Sequence, residues 1–295
     1  MKTVVVTGGL GFIGSNLVEH LLDKGYDVRV IDSNRDSKYI FNDATYYYND
    51  ITKEIHNHSD IFEGADAVFH LAAEIYVQKS LEFPNLFKDV NEDGTKNILN
   101  YAAMYNIKNF IFSSTSAIYG NKSNGGGSLE SDEVECLNAY SQSKYNAEQI
   151  CKEYSDQNSM NISVLRYFNV YGNRQHESGQ YAPAIGKFLK QKENNEPITV
   201  TGDGKQTRDF INVLDVVKAN YDAYKGNKGF NIYNIGSADN ISIVDLANMI
   251  SNNIVFIPKR DGECQSTLAN IKKTQKALKW TPTITIENYL KDINK

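Results

Sequence analysis

Residues 3–32 read TVVVTGGLGFIGSNLVEHLLDKGYDVRVID, and few folds accommodate that string. The β-branched run Val4–Val6 is closed by Gly8 and Gly9, and Phe12, Ile13, Leu17, Val18, Leu21 and Leu22 then recur at helical spacing. A strand, a glycine turn, a helix and a second strand ending at Asp32 follow in 30 residues. A strand that crosses over through a helix must pair in parallel, and a parallel sheet needs helices on both faces.

The same alternation continues down the chain. ATYYYND ending at Asp50, DAVFHLAA at 66–73, NFIFSS at 109–114 and NISVLRYFN at 161–169 read as further buried strands. Helical stretches at 93–105 and 140–155 lie between them. The expected fold is therefore α/β, a doubly wound parallel sheet of Rossmann type. After about residue 170 the alternation fades. The expected division is a dinucleotide-binding domain over 1–169 with a return near 208–235, and a smaller α/β substrate-binding part from 170–207 and 236–295.

In such sheets ligands bind beyond the carboxyl ends of the strands. Gly8, Gly11 and Gly14 sit at the first such end and let a pyrophosphate approach the backbone and the helix N-terminus. Asp32 ends the second strand, placed to accept hydrogen bonds from an adenosine ribose. A carboxylate there repels a 2′-phosphate, so NAD is expected over NADP, although Arg35 leaves a route to NADP.

YSQSK places Tyr140 and Lys144 four residues apart on one helix face. Tyr221 with Lys225 and Tyr224 with Lys228 repeat the spacing but fit a helix ending in solvated lysines. Position separates the first pair from the others, because its helix follows the strand that ends FSSTSAIYG. A phenol with a pKa near 10 needs help to act as a base at neutral pH, and a neighbouring ammonium supplies it. Tyr140 can then take a proton from a sugar hydroxyl that Thr115 or Ser114 holds.

Composition removes other classes. A net charge of -5 gives no nucleic-acid-binding surface. No apolar run reaches the ~20 residues that cross a bilayer. Cys136, Cys151 and Cys264 lack metal-ligand spacing and read as reduced thiols of a cytoplasmic protein. No metal is expected: His56 and His58 have no third ligand nearby and read as a solvated loop. His70 reads as a packed, hydrogen-bonded residue, Trp280 as an anchor of the C-terminal segment, and Glu74 has no assigned role.

TGGLGFIGSNL, HLAA, NEDGTKNIL, FSSTSAIYG, YSQSK, RYFNVYGNRQ, GDGKQTRDFINVLDVV, YNIGS and PKRDGECQSTLAN occur in that order, over nearly the whole chain. In this the sequence resembles the extended short-chain dehydrogenase/reductases, specifically nucleotide-sugar epimerases. The resemblance implies Thr115 as the catalytic hydroxyl, Tyr140 as the base, and Lys144 as its activator and ribose ligand. It implies cofactor contacts at Gly8, Gly11, Phe12, Ile13, Gly14, Asp32, Asp50, Ile51, Leu71, Ala72, Ala73, Asn91, Tyr140, Lys144 and Tyr167, with Phe168 near the nicotinamide. Asn169, Arg208, Arg260 and Thr267 are implied to hold a UDP-sugar, the arginines on its diphosphate.

Related 4,6-dehydratases and UDP-xylose-forming decarboxylases carry a glutamate two residues after the catalytic threonine, whereas this chain has Ala117. The resemblance therefore implies a 4-epimerase that uses NAD catalytically. Thr267 is small where epimerases restricted to non-acetylated sugars have a tyrosine, which leaves room for an N-acetyl group. Departures fall at Gly262–Glu263, Ala269–Asn270 and Ile75, and in a 121–139 loop without the usual prolines. The resemblance also implies a homodimer through the helices at 93–105 and 140–155. The alternatives are an epimerase or reductase of a CDP-, GDP- or dTDP-sugar, and a non-catalytic dinucleotide sensor.

Overall fold

A computed structural model describes residues 1–121, 126–176, 183–259 and 264–293. The first half contains β1 (Thr3–Thr7), α1 (Phe12–Asp23), β2 (Asp27–Asp32), β3 (Ala44–Tyr48), α2 (His58–Phe62), β4 (Ala65–His70), α3 (Val77–Glu82), α4 (Pro84–Phe87), α5 (Gly94–Met104), β5 (Asn109–Thr115) and α6 (Ala139–Asn158). The second half contains β6 (Asn161–Tyr167), β7 (Asn169–Tyr171), α7 (Ala184–Glu193), β8 (Ile198–Thr201), β9 (Thr207–Arg208), β10 (Phe210–Asn212), α8 (Val213–Gly226), β11 (Phe230–Ile235), β12 (Ile241–Ser242), α9 (Ile243–Ile250), β13 (Ile254–Ile257), α10 (Lys272–Leu278) and α11 (Ile286–Ile293).

Seven strands form one sheet in the order β11-β6-β5-β4-β1-β2-β3, and every pairing is parallel. The chain winds outward from β1 through β2 to β3, then restarts at β4 and winds the other way. A crevice therefore opens between the carboxyl ends of β1 and β4, where such folds bind ligands. Burial on both faces explains the near-continuous apolar strands. Val4, Val6, Val28, Val30 and Phe69 join one core with Leu17, Val18 and Leu21 of α1 and Val216 of α8. Val5, Ile31, Val68, Phe110 and Phe112 join the opposite core with Ile98 and Leu99 of α5 and Ala147 of α6.

The expected strand over 161–169 breaks after Tyr167. The Phe168 N–H donates to the Ile235 carbonyl, and Asn169–Tyr171 leaves the main sheet to pair with β10. The helix expected over 93–105 is preceded by a π-helical turn, Lys88–Asp93. A third core, built on Phe188, Ile198, Val200, Leu246 and Leu290, serves the C-terminal part. Trp280 is fully buried, and its indole N–H donates to the Asp215 carbonyl at 2.9 Å, which pins the C-terminal segment to α8.

Candidate active site

The glycine turn is built for a close approach. Gly8 has φ +69°, and a Cβ there would come within 2.7 Å of the Ala72 nitrogen. A Cβ at Gly14 would overlap the Gly8 carbonyl oxygen, so these two glycines set how tightly α1 follows β1. Gly11 is the N-cap of α1 and supplies no side-chain cap. The first intrahelical bond is Ser15 N–H to Gly11, so the N–H groups of Phe12, Ile13 and Gly14 remain for an anion.

Asp32 is fixed at the crevice by two backbone donors, Leu10 N–H on Oδ2 and Asn34 N–H on Oδ1, both at 2.9 Å. Each oxygen keeps a lone pair for a ribose hydroxyl. The Arg35 guanidinium stacks on Tyr48, 5.1 Å from the ring centroid. At the next strand end the Asp50 carboxylate accepts from Thr52 N–H and Oγ1–H, while the Ile51 carbonyl is held by Asn97. Leu71 N–H donates to the Thr7 carbonyl and Ala72 N–H to Thr7 Oγ1, so residues 71–73 wall the crevice beside Gly8.

Asn91 is buried with its amide fully engaged. Its Oδ1 accepts from Glu74 N–H, and its Nδ2 donates to the Glu74 carbonyl and to Ser143 Oγ. The residue expected near the cofactor phosphates thus clamps the Glu74 backbone to Ser143. The Glu74 carboxylate pairs with Lys79 at 3.0 Å.

Thr115 ends β5 and caps the 3-10 turn Ser116–Tyr119, its Oγ1 accepting from Ala117 N–H at 3.1 Å. Burial raises the Tyr140 pKa, and the nearby Thr115 hydroxyl partly offsets this. Ser114 does not serve as an alternative hydroxyl. Strand alternation turns it to the opposite face, where Oγ donates a 2.5 Å bond to Glu148. Tyr167 lies opposite Thr115 in register, its O–H donating to Asn220 while Ser113 Oγ sits 2.9 Å away. Phe168, also buried, stacks on Tyr119 at 6.3 Å.

Lys144 is one turn after Tyr140 and only 3% exposed. Its ammonium stands 4.2 Å from the centroid of Phe112, and among the described residues no oxygen accepts from it. Burial pushes it down to about 8. A buried cation without an acceptor, on the helix that follows β5, fits a ribose that brings hydroxyl groups. The free α1 N–H groups, Asp32 and Lys144 together match the phosphates and two riboses of a dinucleotide.

Asn169, Arg208 and Thr267 converge from the C-terminal part. Asn169 Nδ2 donates to Thr267 Oγ1 at 3.1 Å and to the Asp209 carbonyl, which leaves its Oδ1 free to accept. Thr267 Oγ1 also accepts from Asp209 N–H. Arg208 Nη1 donates to the Thr207 carbonyl at 2.9 Å. Arg260 lies outside the described residues. No group of histidine, cysteine and acidic residues among the described residues could hold a metal, and His58 Nδ1 is bound to Tyr105 O–H at 2.6 Å.

Three supporting residues escaped the sequence reading. Glu148 and Arg166 form a buried pair behind Thr115. Asp209 accepts from the N–H groups of Ser237, Ala238 and Ala269, and burial raises its carboxyl to about 6 against those bonds. The signals were an arginine inside an apolar strand and a glutamate one turn after Lys144.

Known proteins share this fold. The chain is 34% identical to a putative UDP-glucose 4-epimerase of Methanocaldococcus jannaschii, covering 98% of this chain and 96% of that one. It is 31% identical to a UDP-N-acetyl-alpha-D-glucosaminuronate decarboxylase of Bacillus cytotoxicus, over 99% and 96% of the two chains. The crystal structure of a Thermotoga maritima UDP-glucose 4-epimerase with UDP-glucose superposes with a TM-score of 0.93 at 31% identity, covering 98% and 96%. No helix among the described residues is long and apolar enough to cross a membrane. Residues 4–236 match the model of the NAD dependent epimerase/dehydratase family, and with a glycine turn, Asp32 and Lys144 shaped for that cofactor, the chain belongs to this family.

Proposed function

We propose that this chain interconverts UDP-hexoses at C4, using NAD as a bound catalyst. The substrates are UDP-glucose and UDP-galactose, and in the same pocket UDP-N-acetylglucosamine and UDP-N-acetylgalactosamine. The observation that carries the reading is position 117. Its N–H is held by Thr115 Oγ1, and its side chain is a methyl group where elimination or decarboxylation would call for a carboxylate.

Gly8, Gly11, Gly14, Asp32 and Lys144 hold NAD, which supplies the acceptor and later the donor of one hydride. Thr115 orients the C4 hydroxyl, and Tyr140 removes its proton as the 4-keto sugar forms. Lys144, one turn after Tyr140 on the same helix face, supplies the positive charge that a phenolate needs against the burial that raises the phenol. With no acid or base at 117 to expel water, the ketone has one outcome. It accepts hydride on its other face while Tyr140 returns the proton to the oxygen.

Asn169 and Arg208 hold the uridine diphosphate, with Arg260 as the second guanidinium. Thr267 supports the N-acetyl reading because it is small and turns its hydroxyl to Asn169 and Asp209 rather than to a ligand. The homologous decarboxylase is named for an N-acetylated UDP-sugar, which supports a pocket of that size in the family.

The reading extends to a homodimer through α5 and α6, supported by Leu81, Phe83 and Met104, which lie exposed on or near elements packed against those helices. Net cofactor turnover tests the chemistry. With UDP-glucose and stoichiometric NAD, the sugar ratio should change while reduced nicotinamide stays at or below the enzyme concentration. Reduced nucleotide that accumulates in step with product would instead show a dehydrogenase.

A further inference from the structure

The crevice between β1 and β4 is crossed by an unbroken line of hydrogen bonds whose directions are set by chemistry. Thr7 Oγ1 accepts from Ala72 N–H at 3.2 Å and lies 2.7 Å from His70 Nδ1. His70 Nε2 lies 3.0 Å from Thr95 Oγ1, which donates to the Asn91 carbonyl at 2.6 Å. A carbonyl only accepts, so the single Thr95 proton is spent there, and Thr95 can only accept from His70 Nε2–H. His70 Nδ1 is then an acceptor, and the Thr7 proton fills it. Every donor has one acceptor and no proton is left over.

The other neutral tautomer would set two lone pairs against each other at Thr95 and strand the Thr7 proton. The imidazolium is opposed by complete burial, and by the Lys144 ammonium, which rests on the same Phe112 ring against which His70 stacks; together they push the ring down to about 3. The line does not end at Asn91. Its side chain holds both backbone groups of Glu74 and donates to Ser143 Oγ, and Ser143 Oγ donates to the Tyr140 carbonyl.

We propose that His70, locked as the neutral Nε2–H tautomer, is a positioning residue that ties the cofactor wall at Ala72–Glu74 to the first turn of the catalytic helix α6. What is positioned rests on the proposed roles of Tyr140 and Lys144. The line of bonds is independent of which sugar is turned over.

Nitrogen-15 NMR of the full chain labelled at histidine tests this, with the His70 signals assigned by their loss in His70→Gln. The expected spectrum shows Nε2 protonated, Nδ1 bare, and no change between pH 5 and 9. Protonation at Nδ1, or titration near the ordinary histidine value, would overturn the proposal. Thr95→Val keeps the shape but removes the acceptor. It should raise the NAD dissociation constant roughly three- to tenfold and mix the two His70 tautomers, and Thr95→Ser should restore both readings. NAD affinity and tautomer unchanged in Thr95→Val would also overturn it. Neither measurement uses a sugar, so a wrong substrate assignment would leave both results standing.

Discussion

Arg166 meets Glu148 in a two-pronged pair, Nη2 to Oε2 at 2.7 Å and Nε to Oε1 at 3.0 Å, with both side chains essentially sealed from water. Ser114 donates to the same carboxylate, and Arg166 Nη1 donates to the Tyr119 phenol oxygen. The pair therefore backs the strand end that presents Thr115. Removing one partner leaves an uncompensated charge in the core, so Glu148→Ala should lower stability by about 3–5 kcal/mol. Glu148→Ala combined with Arg166→Met should lose less than Glu148→Ala alone. Denaturant titration of the single and double variants measures this coupling.

The glycine turn predicts a contrast between two alanine substitutions. Gly14→Ala drives a Cβ into the Gly8 carbonyl and should abolish NAD binding through displacement of α1. Gly25→Ala asks for a left-handed backbone, φ +78°, but meets nothing within 4 Å. It should cost only about 1–2 kcal/mol and leave NAD affinity intact. Calorimetric titration with NAD separates the two.

Tyr140→Phe removes the proton acceptor and keeps the ring, which packs edge-on against Phe87 at 6.3 Å. Turnover should fall by roughly 10²–10⁴-fold while NAD still binds, since the glycine turn, Asp32 and Lys144 are untouched. A dinucleotide sensor would show no loss of function in this variant.

Lys144 predicts a pH signature. Burial disfavours the charge and pushes the folded pKa down to about 8, from the ordinary lysine value of 10.5. Between those values the unfolded chain holds a proton that the native protein lacks, so stability rises with pH across the window. The native protein should therefore gain on Lys144→Met by up to about 1.4 kcal/mol per pH unit between pH 8 and 10.5. Paired thermal melts with NAD absent provide the measurement.

Thr267→Tyr should discriminate between substrates. The larger ring fills the space assigned to an N-acetyl group and removes the acceptor shared by Asn169 and Asp209. The ratio of UDP-N-acetylglucosamine to UDP-glucose turnover should drop by at least tenfold, about the discrimination that a few methylene-sized contacts provide.

Much of the fold is legible in the sequence because periodicity reports burial, and the inner strands of the main sheet are covered on both faces; β3, expected to be buried, is a half-exposed edge strand. The break after Tyr167 is not, because RYFNVY keeps an apolar pattern while Asn169–Tyr171 changes partner to β10. That exchange is a tertiary event. The 3-10 turn after Thr115 and the π-helical turn at 88–93 likewise come from backbone competition that residue spacing does not encode. Thr115, Tyr140 and Lys144 are legible because their order along strand and helix fixes their faces. Strand alternation alone would have turned Ser114 away from the pocket. The residues behind them were hidden for another reason: Arg166 and Glu148 meet only when β6 packs against α6, and Asp209 takes a partner from 60 residues away.

The central claim is C4 epimerisation without net redox change. A proton NMR time course of the purified protein with catalytic NAD, run separately on UDP-glucose and UDP-N-acetylglucosamine, tests it most directly. The C4 epimer is expected in both samples, each settling at a constant ratio to its starting sugar, with no stoichiometric NADH. A folded, NAD-bound protein that leaves both sugars unchanged, or that yields a 4-keto-6-deoxy or decarboxylated product, would contradict it.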